Sequence, residues 1–163
     1  MNWFSSDINY KQIRESNSYK KIKEDLINLG VKEDDTIMVH SSLSSMGHVE
    51  YGAITFILAL CDLLASKGTV LFPSFSYIEA NKNYEFSYLD NKCCVGLIPE
   101  TFRKLKNVVR SIHPTHSVCA FGKNAIEITK DHILDETPLG KNSPFQKLPE
   151  YNGKILMLGC GLY

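Results

Sequence analysis

No excess of charge marks this chain. Eighteen lysines and arginines balance eighteen aspartates and glutamates over 163 residues. That excludes the basic footprint of a nucleic-acid-binding protein and the polybasic face of a membrane-surface helix. No apolar run is long enough to cross a bilayer: the longest, ITFILALCDLLA, is broken by Asp62. The opening, MNWFSSDINYKQIRES, is polar and mixed in charge, unlike a secretory leader. No C-x-x-C pair occurs, and the five cysteines (Cys61, Cys93, Cys94, Cys119, Cys160) are odd in number and scattered. They read as free thiols of a reducing cytoplasm, which is the expected location. Repeats, low-complexity tracts and linkers are missing too, leaving one domain over residues 1–163 with a sizeable core.

What is present alternates between helical and strand patterns. NSYKKIKEDLINLGV places Ile22, Leu26 and Leu29 at helical spacing, with Asn17 or Ser18 as cap and Gly30 as stop. TIMVH is a β-prone run entering the small-residue loop SSLSSMG. A helix is expected over about 53–65, then TVLFPSF, a buried strand ended by Pro73. Strand, helix and strand with short connections form a βαβ unit and imply parallel pairing. After a polar, aromatic loop from Ser76 to Lys92, GLIPETFRKLK reads as a helix with Pro99 in its first turn. VCAFG reads as a strand, residues 124–131 as a short helix, and ILDETPLGKNSPFQKLPEYNG as a long loop of the kind that often carries function. The expected fold is α/β: a mostly parallel central sheet flanked by helices in a three-layer sandwich. The last strand, within GKILMLGCGLY, has no helix after it to cover Ile155, Leu156, Met157 and Leu158, so a truncated C-terminus is expected.

Three stretches carry possible chemistry. VHSSLSSMG lies where a strand runs towards the next helix, the place where ligands sit in parallel sheets. Its hydroxyls and exposed backbone N–H groups suit pyrophosphate or amide groups, although a serine-rich turn is also a common connector. It matches neither G-x-x-x-x-G-K nor G-x-G-x-x-G. RSIHPTHSV holds two histidines around a proline. Pro114 keeps His113 extended, a stiff mount for an imidazole that titrates near neutrality, with Ser111, Thr115 and Ser117 able to fix its tautomer. A structural histidine pair or, with a loop carboxylate, a metal-dependent hydrolase built on His113 and His116 are the other readings; no further ligands stand at zinc-like spacing. No G-x-S-x-G elbow is present, and a cysteine nucleophile would be Cys94 or Cys119 beside His113. The acidic loop residues Glu79, Glu85, Asp90, Asp135 and Glu136 are solvated charges or the complement of a cationic substrate. The vicinal pair Cys93–Cys94 reads as small loop residues near a cleft.

Taken in order, several motifs resemble the aminoglycoside 3-N-acetyltransferase (antibiotic N-acetyltransferase) family. They are LGVKEDDTIMVHSSLSSMGHVEYGA, KGTVLFPSFSY, CVGLIPETFRK, VRSIHPTHSVCAFG, PLGKNSPFQKL and GKILMLGCGL, and together they cover about residues 20–163. The resemblance implies acetyl transfer from acetyl-coenzyme A, without a metal, to an amino group of an aminoglycoside or related small-molecule amine. It implies the coenzyme along His40, Ser41, Ser42, Leu43, Ser44, Ser45, Met46 and Gly47, with Pro73, Ser74, Arg110 and Ser111 also lining its site and His113 at the reaction end as the catalytic candidate. Two departures stand out. Family members usually have two glycines after Val-Glu, where this chain has Tyr51 and Gly52. Members also continue through a Thr-x-x-His-x-x-Glu segment generally considered catalytic, and no such run occurs up to Tyr163. A coenzyme-binding fragment or paralogue without turnover is therefore the alternative function.

Overall fold

The chain alternates helices and strands as far as residue 73 and then reverses. The computed structural model describes residues 9–64, 66–77, 87 and 90–161. Two helices open it, α1 (Tyr10–Glu15) and α2 (Asn17–Asn28). Ser16 joins them: its hydroxyl donates to the Ile13 carbonyl and accepts from the Tyr19 N–H, ending one helix and capping the next. β1 (Thr36–Ser41) leads into a 3-10 turn (Leu43–Met46), and α3 (Ala53–Leu64) crosses back to β2 (Thr69–Pro73). Then follow α4 (Leu97–Arg103), the two-residue β3 (Val109–Arg110), β4 (Val118–Gly122) and α5 (Ala125–Thr129). A 3-10 turn (Lys130–Leu134), α6 (Pro144–Lys147), another 3-10 turn (Leu148–Tyr151) and β5 (Lys154–Leu158) complete the described elements.

The strand order is β3-β4-β2-β1-β5. β1 pairs in parallel with β2 and β5, as the βαβ pattern demands. Alternate residues face opposite layers. Ile37, Val39, Val70, Phe72 and Cys119 meet α1–α4, while Met38, Leu71, Val118 and Ala120 meet Ala125, Ile128 and Leu148. The three-layer α/β sandwich is therefore present.

The expectation of a mostly parallel sheet needs one amendment: β4 runs antiparallel to both β2 and β3, so the sheet is mixed. The reason is local. RSIHPTHS, between β3 and β4, is a hairpin connection that turns the chain back, closed by the Ser111 N–H on the Val118 carbonyl at 2.8 Å. Residues past β2 continue the antiparallel ladder, with the Ser74 N–H on the Ser117 carbonyl and the Ser76 N–H on the Thr115 carbonyl. β5 lies at the edge beside β1. Leu156 and Leu158 pack on the core, while Ile155 and Met157 are 60% and 38% exposed.

Asp62, the charge inside the apolar α3, has dedicated partners. Arg14 grips it with two N–H groups at 2.6 and 2.8 Å, and the Tyr19 hydroxyl donates to it at 2.8 Å. Burial and the Asp62 carboxylate push the Tyr19 hydroxyl up to about 12. The acid is thus a bolt that fixes α1 and α2 on α3. The turn before α3 holds a strained residue: Tyr51 has a φ of 60°, a left-handed conformation in which a side chain is costly, and stands half exposed. Tyr51→Gly is expected to raise stability by about 1 kcal/mol, seen as a higher melting temperature; an unchanged or lower value contradicts the strain.

Candidate functional site

The site forms at the carboxyl end of β1, where its parallel neighbours β2 and β5 lie on opposite sides. There the serine turn departs. A cleft of 690 Å³ is lined by Ser41, Ser42, Leu43, Ser44 and Gly47, by His48, Val49 and Gly52 on the way to α3, and by Val95, Gly96 and Leu97 at the start of α4. A second cavity of 540 Å³ shares His48 and Val49 with it and is completed by Ser45, Met46, Leu158, Gly159 and α2. A hollow of 190 Å³ takes in Val39, His40, Ser41, Pro73, Phe75, Val95, Pro99 and Cys160.

The serine turn is held from several directions. The Ser42 N–H donates to the Leu158 carbonyl at 2.8 Å, and the Ser42 hydroxyl lies 3.1 Å from those of both Ser44 and Ser45. Gly159, at a φ of +65°, brings its backbone against the turn: a Cβ there would stand 2.8 Å from the Ser45 Cβ and 2.9 Å from the Ser42 carbonyl oxygen. By contrast, a Cβ on Gly47 or Gly52 would meet no atom within 4 Å, so both leave backbone open to a ligand. The Ser41 hydroxyl oxygen is buried and has no hydrogen-bond partner among the described residues. It lies where cleft and hollow meet. His40 is held below its ordinary range by burial, so it is neutral at pH 7.

The structure thus brings together His40 through Gly47 and Pro73, and places the other sequence-selected residues behind them. Ser74 is fully buried beside the thiols of Cys93 and Cys119. Arg110, 6% exposed, donates from Nε to the Ser117 hydroxyl, from Nη1 to the Asn91 carbonyl and from Nη2 to the Ser74 carbonyl, at 2.8 to 3.0 Å. It ties the hairpin, the end of β2 and the segment before α4 into one unit.

The hairpin histidines are similarly engaged. His113 Nδ1 accepts the backbone N–H groups of Thr115 and His116 at 3.2 and 3.0 Å, so the neutral ring carries its proton on Nε2. Its pKa is lowered by burial and by His116, against a smaller opposing pull from Asp135. His116 Nδ1 lies 2.8 Å from the Thr115 hydroxyl, and its ring packs on Phe75. Ser111 donates to His132 Nδ1 at 2.8 Å and accepts the Val118 N–H. That is the spacing of a serine–base dyad, but Ser111 is 1% exposed and His132 wholly buried, so no substrate reaches the hydroxyl.

His132 escaped the reading of the sequence. Thr129-x-x-His132-x-x-Asp135 was the available signal, the implied catalytic spacing with Asp in place of Glu. His48, Phe75, Val95, Gly96 and Leu97 also line the site; each lies inside one of the family-like motifs, but none was singled out as a site residue.

The buried thiols beside Ser74 are quiet. Burial raises Cys93 and pushes Cys119 up to about 11. Among the described residues no group of three or more His, Cys, Asp or Glu side chains could hold a metal ion. Asp135 accepts the backbone and side-chain N–H groups of Asn142, and Asp90 accepts the Ser87 hydroxyl; Glu79 and Glu85 lie outside the described residues. No helix among the described residues is long and apolar enough to span a membrane.

Fold and site together define a three-layer α/β protein with an open cleft built on a serine turn. The family model for aminoglycoside 3-N-acetyltransferases matches residues 38–163, and the chain belongs to that family. Among curated relatives, the SPbeta prophage-derived aminoglycoside N(3')-acetyltransferase-like protein YokD of Bacillus subtilis is 36% identical over 92% of this chain and 64% of its own length. The aminoglycoside N(3)-acetyltransferase III of Serratia marcescens is 30% identical over 90% of this chain and 60% of its own. The crystal structure of apo AAC(3)-IVa aligns with a TM-score of 0.80 and 32% identity, covering 88% of this chain and 55% of that one. AAC-IIIb in binary complex with CoASH aligns with a TM-score of 0.77 and 31% identity, covering 85% and 58%. The chain therefore spans between half and two thirds of these relatives' length.

The Arg110 clamp makes a prediction. Arg110→Lys leaves buried acceptors unserved, because one ammonium cannot reproduce the planar fork. A loss of about 3 kcal/mol is expected in urea denaturation; a loss below about 1 kcal/mol means that the clamp is not holding the three segments.

Proposed function

We propose that this chain carries the coenzyme-binding region of an aminoglycoside N3-acetyltransferase, an acyltransferase of antibiotic resistance that moves acetyl from acetyl-coenzyme A to an amino group of the drug. The observation that carries the reading is the serine-turn cleft with its unpartnered Ser41 hydroxyl and its two open glycines. A phosphopantetheine chain needs amide- and phosphate-binding donors along a narrow groove, and Ser41 to Gly47 supply such donors. The CoASH complex of AAC-IIIb and the gentamicin complex of AAC(3)-IVa support donor and acceptor classes respectively.

In this reading Ser41, Ser42 and Ser44 hold the coenzyme, with Leu43 and Gly47 shaping the groove and Ser45 and Met46 its outer wall. His40 and Pro73 line the inner hollow, where the acyl end would lie. Ser74, Arg110 and Ser111 act from behind, Arg110 by holding the Ser74 carbonyl and Ser111 by holding the backbone of Val118. The acetyl thioester supplies the group transferred, and the attacking amine must first lose its ammonium proton. His113 is suited to a donor's part at the reaction end, because its Nδ1 lone pair is taken by backbone amides and its proton sits on Nε2. Coenzyme binding without turnover is favoured as the second reading by that same geometry, which leaves neither His113 nor His132 free to accept a proton at neutral pH.

Isothermal titration with acetyl-coenzyme A, beside a thiol-release assay with gentamicin, tests both. Saturable binding is expected, weakened at least ~tenfold in Gly159→Ala, whose new Cβ displaces the serine turn. Thiol release supports the transferase, and binding without release supports the second reading. A chain that melts cooperatively but binds no coenzyme overturns both.

A further inference from the structure

Two segments distant in sequence meet at a group of histidines of which the proposed reaction uses only His113. One is the hairpin between β3 and β4; the other is the stretch from the 3-10 turn at Lys130–Leu134 to Asn142. Their join is His132. It is wholly buried, its Nδ1 receives the Ser111 hydroxyl at 2.8 Å, and its Nε2 faces the Pro138 carbonyl at 3.4 Å. Its ring stacks on that of His113 with centroids 4.8 Å apart and planes 28° from parallel.

Each ring is built to be neutral. His132 Nδ1 is an acceptor because Nε2 faces the Pro138 carbonyl, which can only accept; the ring proton therefore sits on Nε2 and the Ser111 hydroxyl, which accepts the Val118 N–H, gives its own hydrogen to Nδ1. A proton on that nitrogen reverses this hydrogen bond, forces the hydroxyl hydrogen away from the ring, and leaves a charge in a site shielded from solvent. His113 Nδ1 accepts two backbone N–H groups, so a proton there sets N–H against N–H and opens the turn. Two imidazoliums at stacking distance also repel.

The charged surroundings do little to relieve this. From the hairpin His132 faces His113 and, behind it, His116; from its own segment it faces Asp135, whose carboxylate is taken up by Asn142. Asp131 pairs with Lys147, and Lys130 with Glu127. Burial, followed by the neighbouring His113, pushes His132 down to about 4.

We infer that the Ser111–His132–His113 stack is an acid-released latch: taking up a proton detaches residues 130–142 from the hairpin while the sheet stays folded. The sign follows from linkage. A histidine whose folded value lies below its unfolded 6.5 stabilises the closed form at pH above 6.5, and that contribution is lost as pH falls from 6.5 to about 4. The latch reaches the candidate site through the hairpin, since Ser117 of the same turn receives Arg110 and donates to the Ser74 carbonyl. It stands on this geometry alone and does not require the acetyl-transfer reading.

The test is histidine nitrogen-15 NMR together with amide hydrogen exchange on the full chain between pH 7.5 and 4. At pH 7.5 the His132 ring is expected as the Nε2–H tautomer. On acidification the amides of residues 130–142 are expected to lose protection at least ~tenfold while those of β1, β2 and β4 keep theirs. Ser111→Ala, which removes the donor to Nδ1, moves the release towards neutral pH. His132→Gln, which has no group titrating in this range, abolishes the pH dependence of segment 130–142. The latch is overturned if His132 titrates near 6.5 without any change in that segment. It is equally overturned if segment and sheet lose protection together, or if His132→Gln keeps the wild-type pH dependence.

Discussion

The upper end of the sheet depends on one buried guanidinium. Arg110 stands on the shortest strand, yet its donors reach the hairpin, the end of β2 and the segment that leads into α4. Burial disfavours its charge, but arginine has no neutral form to retreat to near neutrality, so its N–H groups must be met by fixed acceptors. The backbone carbonyls of Ser74 and Asn91 can accept only if their segments run as they do. The wall that faces the serine turn follows from this. Cys94 donates its N–H to the Phe75 carbonyl, and Cys93 donates its own to Glu100, one turn inside α4. Burial alone would raise the Glu100 carboxyl; the Arg103 guanidinium, the Cys93 N–H and Lys104 overcome that and hold it at about 2. A chain of charge-assisted contacts thus runs from the hairpin to the mouth of the cleft.

Much of this architecture was legible in the sequence, and the parts that were not share a cause. Apolar periodicity marks α2, α3, β1 and β2, because those elements bury enough side chains to print a pattern, while β5 was legible only as an apolar run. α1 prints none: its single buried residue is Ile13, and it is secured by Asn9 and by Arg14 on Asp62. The direction of β4 was hidden for another reason. VCAFG reads as a buried strand in either direction, and the reversal resides in hydrogen bonds of RSIHPTHS that pair residues by position rather than by type. The long loop before β5 proved to be an ordered run of 3-10 turns and a short helix, anchored by Asp135 on Asn142 and by Lys147 on Asp131.

The candidate site shows the same division. The serine turn was singled out because a strand-to-helix junction in a parallel sheet is a common ligand position, and the structure places that turn along an open cleft. The histidines were legible as a pair but not in their roles. Only the fold reveals that the His113 acceptor nitrogen points back into its own turn, and that the partner of Ser111 comes from residue 132. Histidine chemistry is set by which nitrogen is occupied, and spacing in sequence carries no information about that.

The serine turn and the last strand are one unit. β5 contributes the Leu158 carbonyl that fixes Ser42 and leads into the glycine backbone that lies against Ser45, while β1 contributes the strand on which β5 is ordered, from Ile37 opposite Lys154 to Ser41 opposite Leu158. β5 has little burial of its own, with Ile155 and Met157 exposed. Its register therefore rests on the β1 ladder, on Leu156 and Leu158, and on Lys154, whose ammonium meets Asp35 at 2.7 Å and the Gly30 carbonyl at 3.3 Å. A one-residue slip would reverse its faces, withdraw Leu158 from Ser42 and move Gly159 off the turn. The shape of the cleft is thus set by the pairing of β5 with β1, and the serine turn keeps its place only while β5 holds this register.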